Sequence, residues 1–190
     1  MSNHDQTTIH GGPFTRPEGL DTRLDGALAS QLDEVDPDGP EARQVLAAIM
    51  DSINAEFKAI DERACPVDLI AEPRRIVYVT YWIEAEINNG GLSQYFFNSS
   101  GDNAAIAPEL VRTLGHPELV SILERANACF PNGYPTRNFL QRYDVLEEIE
   151  EEAEEKWEAL DAEYHEKNII CQPALIAYIR EHKSSFYKLS

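Results

Sequence analysis

The sequence predicts an all-α fold, a single compact multi-helix domain with a polar N-terminal arm, and three observations support this. Apolar residues recur at three- and four-residue intervals in several segments. Several prolines stand where first helical turns would begin, and no convincing alternating strand pattern is present. A chain of 190 residues that is 43% hydrophobic can bury one core, so we expect one domain.

The first forty residues differ in composition from the rest of the chain. They contain the turn-forming stretches HGGPFTRPEG and VDPDGP and few apolar positions. This composition is typical of a flexible or loosely docked arm. Within the arm, leucines recur every four residues from Leu20 to Leu32, which predicts a short helix. The all-α domain is then predicted to span residues 41–190.

Two longer helices are predicted after the arm. From Glu41, apolar residues fall at helical spacing through a segment free of glycine and proline, and the pattern ends near Cys65 and Pro66. The next segment, RRIVYVTYWIEAEI from Arg74 to Ile87, is rich in β-branched and aromatic residues that also suit a strand. Its length and the NNGG sequence that follows favour a helix that stops there.

The rest of the domain is also predicted to be helical. Pro108 and Pro117 would each open a shorter helix, over 108–114 and 117–130, before a proline- and glycine-rich connector at 131–136. Apolar residues at helical spacing predict two further helices over 144–165 and 173–188.

The charge and the hydropathy of the chain argue against nucleic-acid binding and against membrane insertion. Thirty-four acidic residues against 16 basic ones give a net charge of −18, so the chain should repel nucleic acids, and a charged partner should be basic. No apolar run approaches the roughly 20 residues that a membrane helix needs, and residues 1–20 do not resemble a leader. We therefore expect a cytoplasmic protein that binds neither nucleic acid directly nor a membrane.

Neither the cysteines nor the histidines indicate a metal or cofactor. Cys65, Cys129 and Cys171 are odd in number and lack CxxC spacing, so we interpret them as small, partly buried apolar residues. Asp161 and His165 are four residues apart on one predicted helix, but such a pair is more often a local ion pair than a metal site. We expect no cofactor and no metal.

A polar stretch, INNGGLSQYFFNSSGD at residues 87–102, has two interpretations. In the structural one, asparagine and glycine end a helix, one or two further turns follow, and oxygens of the NSSGD part cap the next element. In the functional one, the side chains converge on a ligand. No nucleophile and base stand close together, so we favour the structural interpretation. The residues of this polar motif are Asn88, Asn89, Gly90, Gly91, Gln94, Asn98, Ser99 and Asp102.

The same stretch carries a family resemblance. The run EINNGGLSQYFFNSSGD, with ANACFP at 126–131 and LIAYIREH at 175–182, resembles the C-terminal-domain family named after a bacterial DNA-mimic protein. The resemblance covers roughly residues 41–190. It implies a small, mainly helical bacterial domain, and the named member is an acidic dimer that occupies the DNA-binding face of a transcription factor. The shared motif looks like a fold signature, so mimicry must be argued from surface carboxylates instead.

The segment DVLEEIEEEAEEKWEALDAEYHEK supplies such carboxylates. Its apolar residues form a single helical stripe, which leaves acidic side chains on the flanks and the outer face. A helix of about 22 residues is about 33 Å long and would carry about one charge per 2.8 Å, close to the density of one DNA strand. The candidate partner-binding residues are Glu147, Glu148, Glu151, Glu152, Glu154, Glu155, Glu158 and Asp161.

An acidic amphipathic helix can be only a solvated surface that keeps a protein soluble. With the net charge and the resemblance, the observations favour a non-enzymatic acidic interaction protein. It is a candidate DNA mimic whose carboxylate-rich helix binds the basic DNA-binding surface of a partner such as a transcription regulator. One alternative is a small-ligand or enzymatic site in the polar motif, with His116 or His182 folded near it. Another is an immunity or antitoxin-like inhibitor of a basic nuclease. The oligomeric state stays open, although a mimic of a two-fold operator would gain from a homodimer.

Overall fold

The computed structural model describes residues 17–60 and 67–189. The predicted all-α fold is confirmed for these residues, which form eight α-helices. Their bounds are α1 Ala29–Glu34, α2 Pro40–Ile60, α3 Glu72–Phe97, α4 Ala107–Thr113, α5 Pro117–Asn127, α6 Phe139–Glu166, α7 Gln172–Glu181 and α8 Lys183–Phe186. Among the described helices, none combines the length and apolar character that a membrane crossing requires. Residues 1–16 of the predicted arm, Cys65, and the predicted helix end at Cys65 and Pro66 lie outside the described residues.

Helix α3 forms the centre of the core. It contacts α2, α4, α6 and α7, and its side chains from Ile76 to Phe96 supply much of the buried apolar surface, with Ile83 and Phe96 fully buried. The segment RRIVYVTYWIEAEI lies in this helix. The preference for a helix over a strand is therefore confirmed, because packing on several sides outweighs the strand preference of β-branched residues.

The NNGG sequence kinks α3 where the sequence predicted a stop. Gly90 (φ −156°, ψ 19°) and Gly91 (φ 76°, ψ −172°) leave helical geometry, and the chain then resumes helical turns up to Phe97. Only glycine adopts the positive φ of Gly91 at little cost. A Cβ atom at Gly91 would also collide with the carboxylate of Asp161. The two glycines thus allow close approach of α6 while the helix restarts in a new direction.

Helix α6 packs against α3 and α5 and begins earlier than the predicted residue 144. Asn138 caps it, accepting a hydrogen bond from the Gln141 backbone N–H at 3.0 Å. Further along, the Trp157 indole donates to the Ala126 carbonyl at 3.2 Å. Capping and packing together hold a helix of 28 residues against the domain.

The two ends of the described chain depart from the predictions. The helix predicted over Leu20–Leu32 is wrong in extent: Leu24–Asp25 forms a short strand, β1, a 3₁₀ turn follows at Gly26–Leu28, and the α-helix begins only at Ala29. The helix predicted over 173–188 ends at Glu181, because His182 leaves helical geometry (φ −110°, ψ 31°). Strand β2, Tyr187–Lys188, pairs in parallel with β1.

The segment before residue 40 contacts the helical domain. Leu32 is fully buried, and the Arg180 guanidinium donates to the Leu32 carbonyl at 2.8 Å. Pairing of β1 with β2 adds a contact between residues before α1 and the C-terminal end of the domain. The division of the chain at residue 40 stays a prediction.

Candidate functional site

The acidic side chains of α6 lie on its outer side. Tyr164, Leu160, Trp157 and Ala153 are buried and form the stripe that packs on α3 and α5. The side chains of seven predicted partner-binding residues are exposed, and we call them the acidic face: Glu147, Glu148, Glu151, Glu152, Glu154, Glu155 and Glu158.

Three members of the acidic face lie on the side of α6 opposite the buried stripe. Glu151 and Glu155 each stand two residues from Ala153, about 200° round the helix from it, and Glu158 lies about 130° from the middle of the stripe. They are separated by four and three residues, so about 6 Å and 4.5 Å along the axis. The result is a row of carboxylates along the exposed side of α6.

Most of the acidic face carries no compensating charge. Lys156 pairs with Glu152 at 2.9 Å, and its hydrogen bond lowers the pKa of that carboxyl. The other six members form no ion pair with any residue in the described part of the chain. Their negative charge is therefore available to a partner.

Asp161 differs from the other predicted partner-binding residues. It is half-buried, and both carboxylate oxygens lie 3.1 Å from the backbone N–H of Leu92, the residue after the Gly90–Gly91 kink. Burial raises the pKa of this carboxyl. A carboxylate beside the first free N–H groups of a restarting helix satisfies an otherwise unpaired donor. Asp161 thus has a contact with another helix, which no member of the acidic face has in the described residues.

The polar motif is organised around a carboxylate that the sequence analysis did not select, that of Glu86. Its oxygens accept hydrogen bonds from Gln94 at 2.6 Å, Asn98 at 2.8 Å and Ser100 at 2.9 Å. Asn89 in turn donates to Gln94 at 3.0 Å. The amides that could have faced a ligand are therefore largely engaged within the chain.

A second residue that the sequence analysis missed, Arg142 of α6, holds the other side of the motif. Its guanidinium is fully buried and lies 2.7 Å from the Asp102 carboxylate. It also donates to the carbonyls of Phe96 at 2.8 Å, Thr136 at 3.0 Å and Asn98 at 3.1 Å. This one side chain ties the NSSGD turn to the start of α6.

A signal for both missed residues is present in the sequence. Glu86 stands three residues after the buried Ile83, and Arg142 stands four residues before Leu146, so each continues an apolar helical stripe. A charged residue on such a stripe is buried when the helix packs, and it then needs a partner. The spacing predicts burial, but the partners come from distant parts of the chain.

Within the described residues, the histidines, cysteines and acidic residues form no group that could hold a metal ion. His116 precedes α5, and His182 packs against the ring of Tyr178 at 4.3 Å between centroids. His165 is exposed beside Tyr164. Cys171 is buried, which raises the pKa of its thiol, and Cys129 is partly buried.

Comparison with known families identifies a match. The family model described as DMP19-like protein matches residues 68–182, more than half of the chain and the part that contains the polar motif and the acidic face. Searches of curated proteins and of solved structures gave no match. The chain belongs to the family of DMP19-like proteins.

Proposed function

We propose that this chain is a non-enzymatic interaction protein, a DNA mimic whose acidic face binds the basic DNA-binding surface of a partner such as a transcription regulator. The observation that carries the proposal is the row of exposed, unpaired carboxylates on α6. Family membership supports it, since the matched family takes its description from a DNA-mimic protein.

The charge density of α6 supports the comparison with DNA. Residues 144–166 contain twelve acidic residues and one lysine. Over about 33 Å of helix this is about one carboxylate per 2.8 Å, between about 1.7 Å per phosphate for duplex DNA and about 3.4 Å for one strand. Arginine and lysine side chains that contact successive phosphates can reach successive carboxylates of this row.

The acidic face also rests on a rigid support. Trp157 is buried and hydrogen-bonded to the Ala126 carbonyl, Arg125 of α5 forms an ion pair with Glu163 at 2.7 Å, and Asp161 binds the backbone of α3. These contacts order the helix before a partner arrives. A preorganised charge array loses less conformational entropy on binding than a flexible acidic tail.

The proposal is tested by measuring binding before and after neutralising the row. A tagged chain would capture a basic partner, and its affinity would then be measured by calorimetry with a Glu151, Glu154, Glu155 and Glu158→Gln variant. Exposed ion pairs contribute about 0.2–1 kcal/mol each, so we expect the four changes to weaken binding by about tenfold or more. Binding of the unchanged chain should also weaken steeply with salt.

A matched control separates the acidic face from net charge. Glu18, Glu41, Glu118 and Glu181 are exposed and form no ion pair in the described residues, so their change to Gln alters the net charge by the same amount. We expect this variant to keep most of its affinity. Equal affinities of the two variants would refute the proposal. A captured partner that proved to be a basic nuclease would make the chain an inhibitor of that nuclease that uses the same face.

A further inference from the structure

A small polar cavity lies beside Glu86, on the side of α3 that carries Tyr78 and Trp82. Its volume is about 90 Å³. Ser99 is exposed, so the cavity reaches the surface, and none of the residues around it belongs to α6. The lining residues are Tyr78, Trp82, Glu86, Ser99, Ser100 and Asn103. This cavity is therefore distinct from the acidic face.

Two features of the cavity point to a ligand. Glu86 is only 8% exposed, and its three hydrogen-bond donors, Gln94, Asn98 and Ser100, are neutral. No described lysine, arginine or histidine forms an ion pair with it; the nearby Arg142 pairs with Asp102 instead. Buried carboxylates are ordinarily paired with a cation, because desolvation of an unpaired charge is costly.

The second feature is an orphaned acceptor. Asn103 is 4% exposed, and its side-chain oxygen has no hydrogen-bond partner in the described part of the chain. A buried amide oxygen without a donor is rare in folded proteins. Asn103 and Glu86 line the same small space, so one bound group with several N–H donors can satisfy both. The indole N–H of Trp82, another lining residue, also has no partner in the described part of the chain, so an acceptor such as a water molecule has to accompany that group.

We propose that this cavity binds a small ammonium cation, either free ammonium or the head of a primary amine. The N–H groups donate to the Glu86 carboxylate, the Asn103 oxygen and the serine hydroxyls, all of which accept hydrogen bonds. An attached methyl or methylene group lies against the rings of Tyr78 and Trp82, whose π-faces attract alkylammonium groups. A volume of about 90 Å³ is about three times the share of one water molecule, enough for a group of this size.

Binding is measured through the two tryptophans of the chain. Trp82 lines the cavity, whereas Trp157 is buried elsewhere and bonded to Ala126, so it serves as an internal reference. The full chain, labelled with ¹⁵N, is titrated with methylammonium chloride that replaces sodium chloride at constant ionic strength. We expect the Trp82 indole signal to shift in a saturable way while the Trp157 signal stays in place.

Tetramethylammonium provides a ligand control, because it has the same charge but no N–H donor. It should leave the Trp82 signal unchanged. Equal shifts with tetramethylammonium and methylammonium would overturn the proposal, since the cation would then bind without donating N–H groups to Glu86 and Asn103. A shift that fails to saturate would also overturn it, since that result describes a general salt effect.

Variants test the named acceptors. Asn103→Leu removes the orphaned oxygen at similar volume, so the fold should be kept while methylammonium affinity falls by about tenfold, the loss expected for one charge-assisted hydrogen bond. Glu86→Gln should abolish binding. Thr80→Val is the matched control, since the Thr80 hydroxyl is also buried and unpartnered but does not line the cavity. Unchanged affinity in a folded Asn103→Leu variant would refute the assignment.

Discussion

The buried Arg142 guanidinium is predicted to stabilise the fold more than any exposed ion pair of the chain. It is fully buried and satisfies the carboxylate of Asp102 and three backbone carbonyls, those of Phe96, Asn98 and Thr136. Arg142→Met keeps an unbranched apolar stem of similar length but removes every one of these donors. The NSSGD turn and the connector before α6 would then lose their common anchor.

The expected loss follows from the burial of these groups. Breaking a buried ion pair by removing one partner costs about 3–5 kcal/mol. Asp102 is 35% exposed, so water can partly solvate it after the change, and we expect the lower end of that range. The three carbonyls lose charge-assisted hydrogen bonds, which keeps the total at about 3–4 kcal/mol. For a chain of this size, the loss corresponds to a decrease of roughly 10 °C in Tm.

Urea unfolding followed by far-ultraviolet circular dichroism measures this free energy. Arg112→Met is the control, because Arg112 is 49% exposed and its ion pairs with Glu109 and Glu124 lie at the surface; it should change stability by at most about 1 kcal/mol. Asp102→Asn should fall between the two, since the three carbonyl contacts of Arg142 remain. An Arg142→Met variant as stable as Arg112→Met would show that the network does not stabilise the fold.

Three further predictions concern stability. Gly91→Ala should destabilise the chain by about 1–2 kcal/mol more than Gly115→Ala, because both glycines have positive φ but only at Gly91 does an added Cβ overlap the Asp161 carboxylate. Equal losses in thermal unfolding would contradict the close contact. Burial raises the pKa of the Glu84 carboxyl, so its pKa is higher in the folded chain than in the unfolded chain. The charged carboxylate therefore destabilises the fold at neutral pH. This destabilisation disappears as the pH falls towards about 4.3, the ordinary pKa of a Glu side chain. Glu84→Gln should thus be more stable than the wild type at pH about 7, by a margin that narrows in acid, and a pH-independent margin would argue against the buried charge. The Glu151, Glu154, Glu155 and Glu158→Gln variant should unfold at higher urea at low salt, since each relieved like-charge pair contributes about 0.2–0.5 kcal/mol. Lower stability would mean that these carboxylates have stabilising contacts.

The helical periodicity was sufficient to predict the long elements but not their ends. α3 and α6 each bury a continuous stripe, and their presence was predicted correctly. The start of α6 at Phe139 depends on the Asn138 cap, a local signal that apolar periodicity does not contain. At Leu20–Leu32 the regular leucine spacing was misleading, because pairing of β1 with β2 holds the first part extended.

The sequence by itself determined the helical class, the family motif and the acidic face, because each depends on residues close together along one helix or one turn. The acidic and the apolar residues of α6 lie on opposite sides of the helix. Glu151, Glu155 and Glu158 therefore stay exposed whether α6 packs on α3 or on α5. Only the tertiary structure decided which residues the polar motif contacts. The Glu86 carboxylate accepts hydrogen bonds from residues that follow the kink in α3, and Arg142 of α6 contacts the NSSGD turn. Such partners are selected by which helices meet in space, and no local pattern of residues records that.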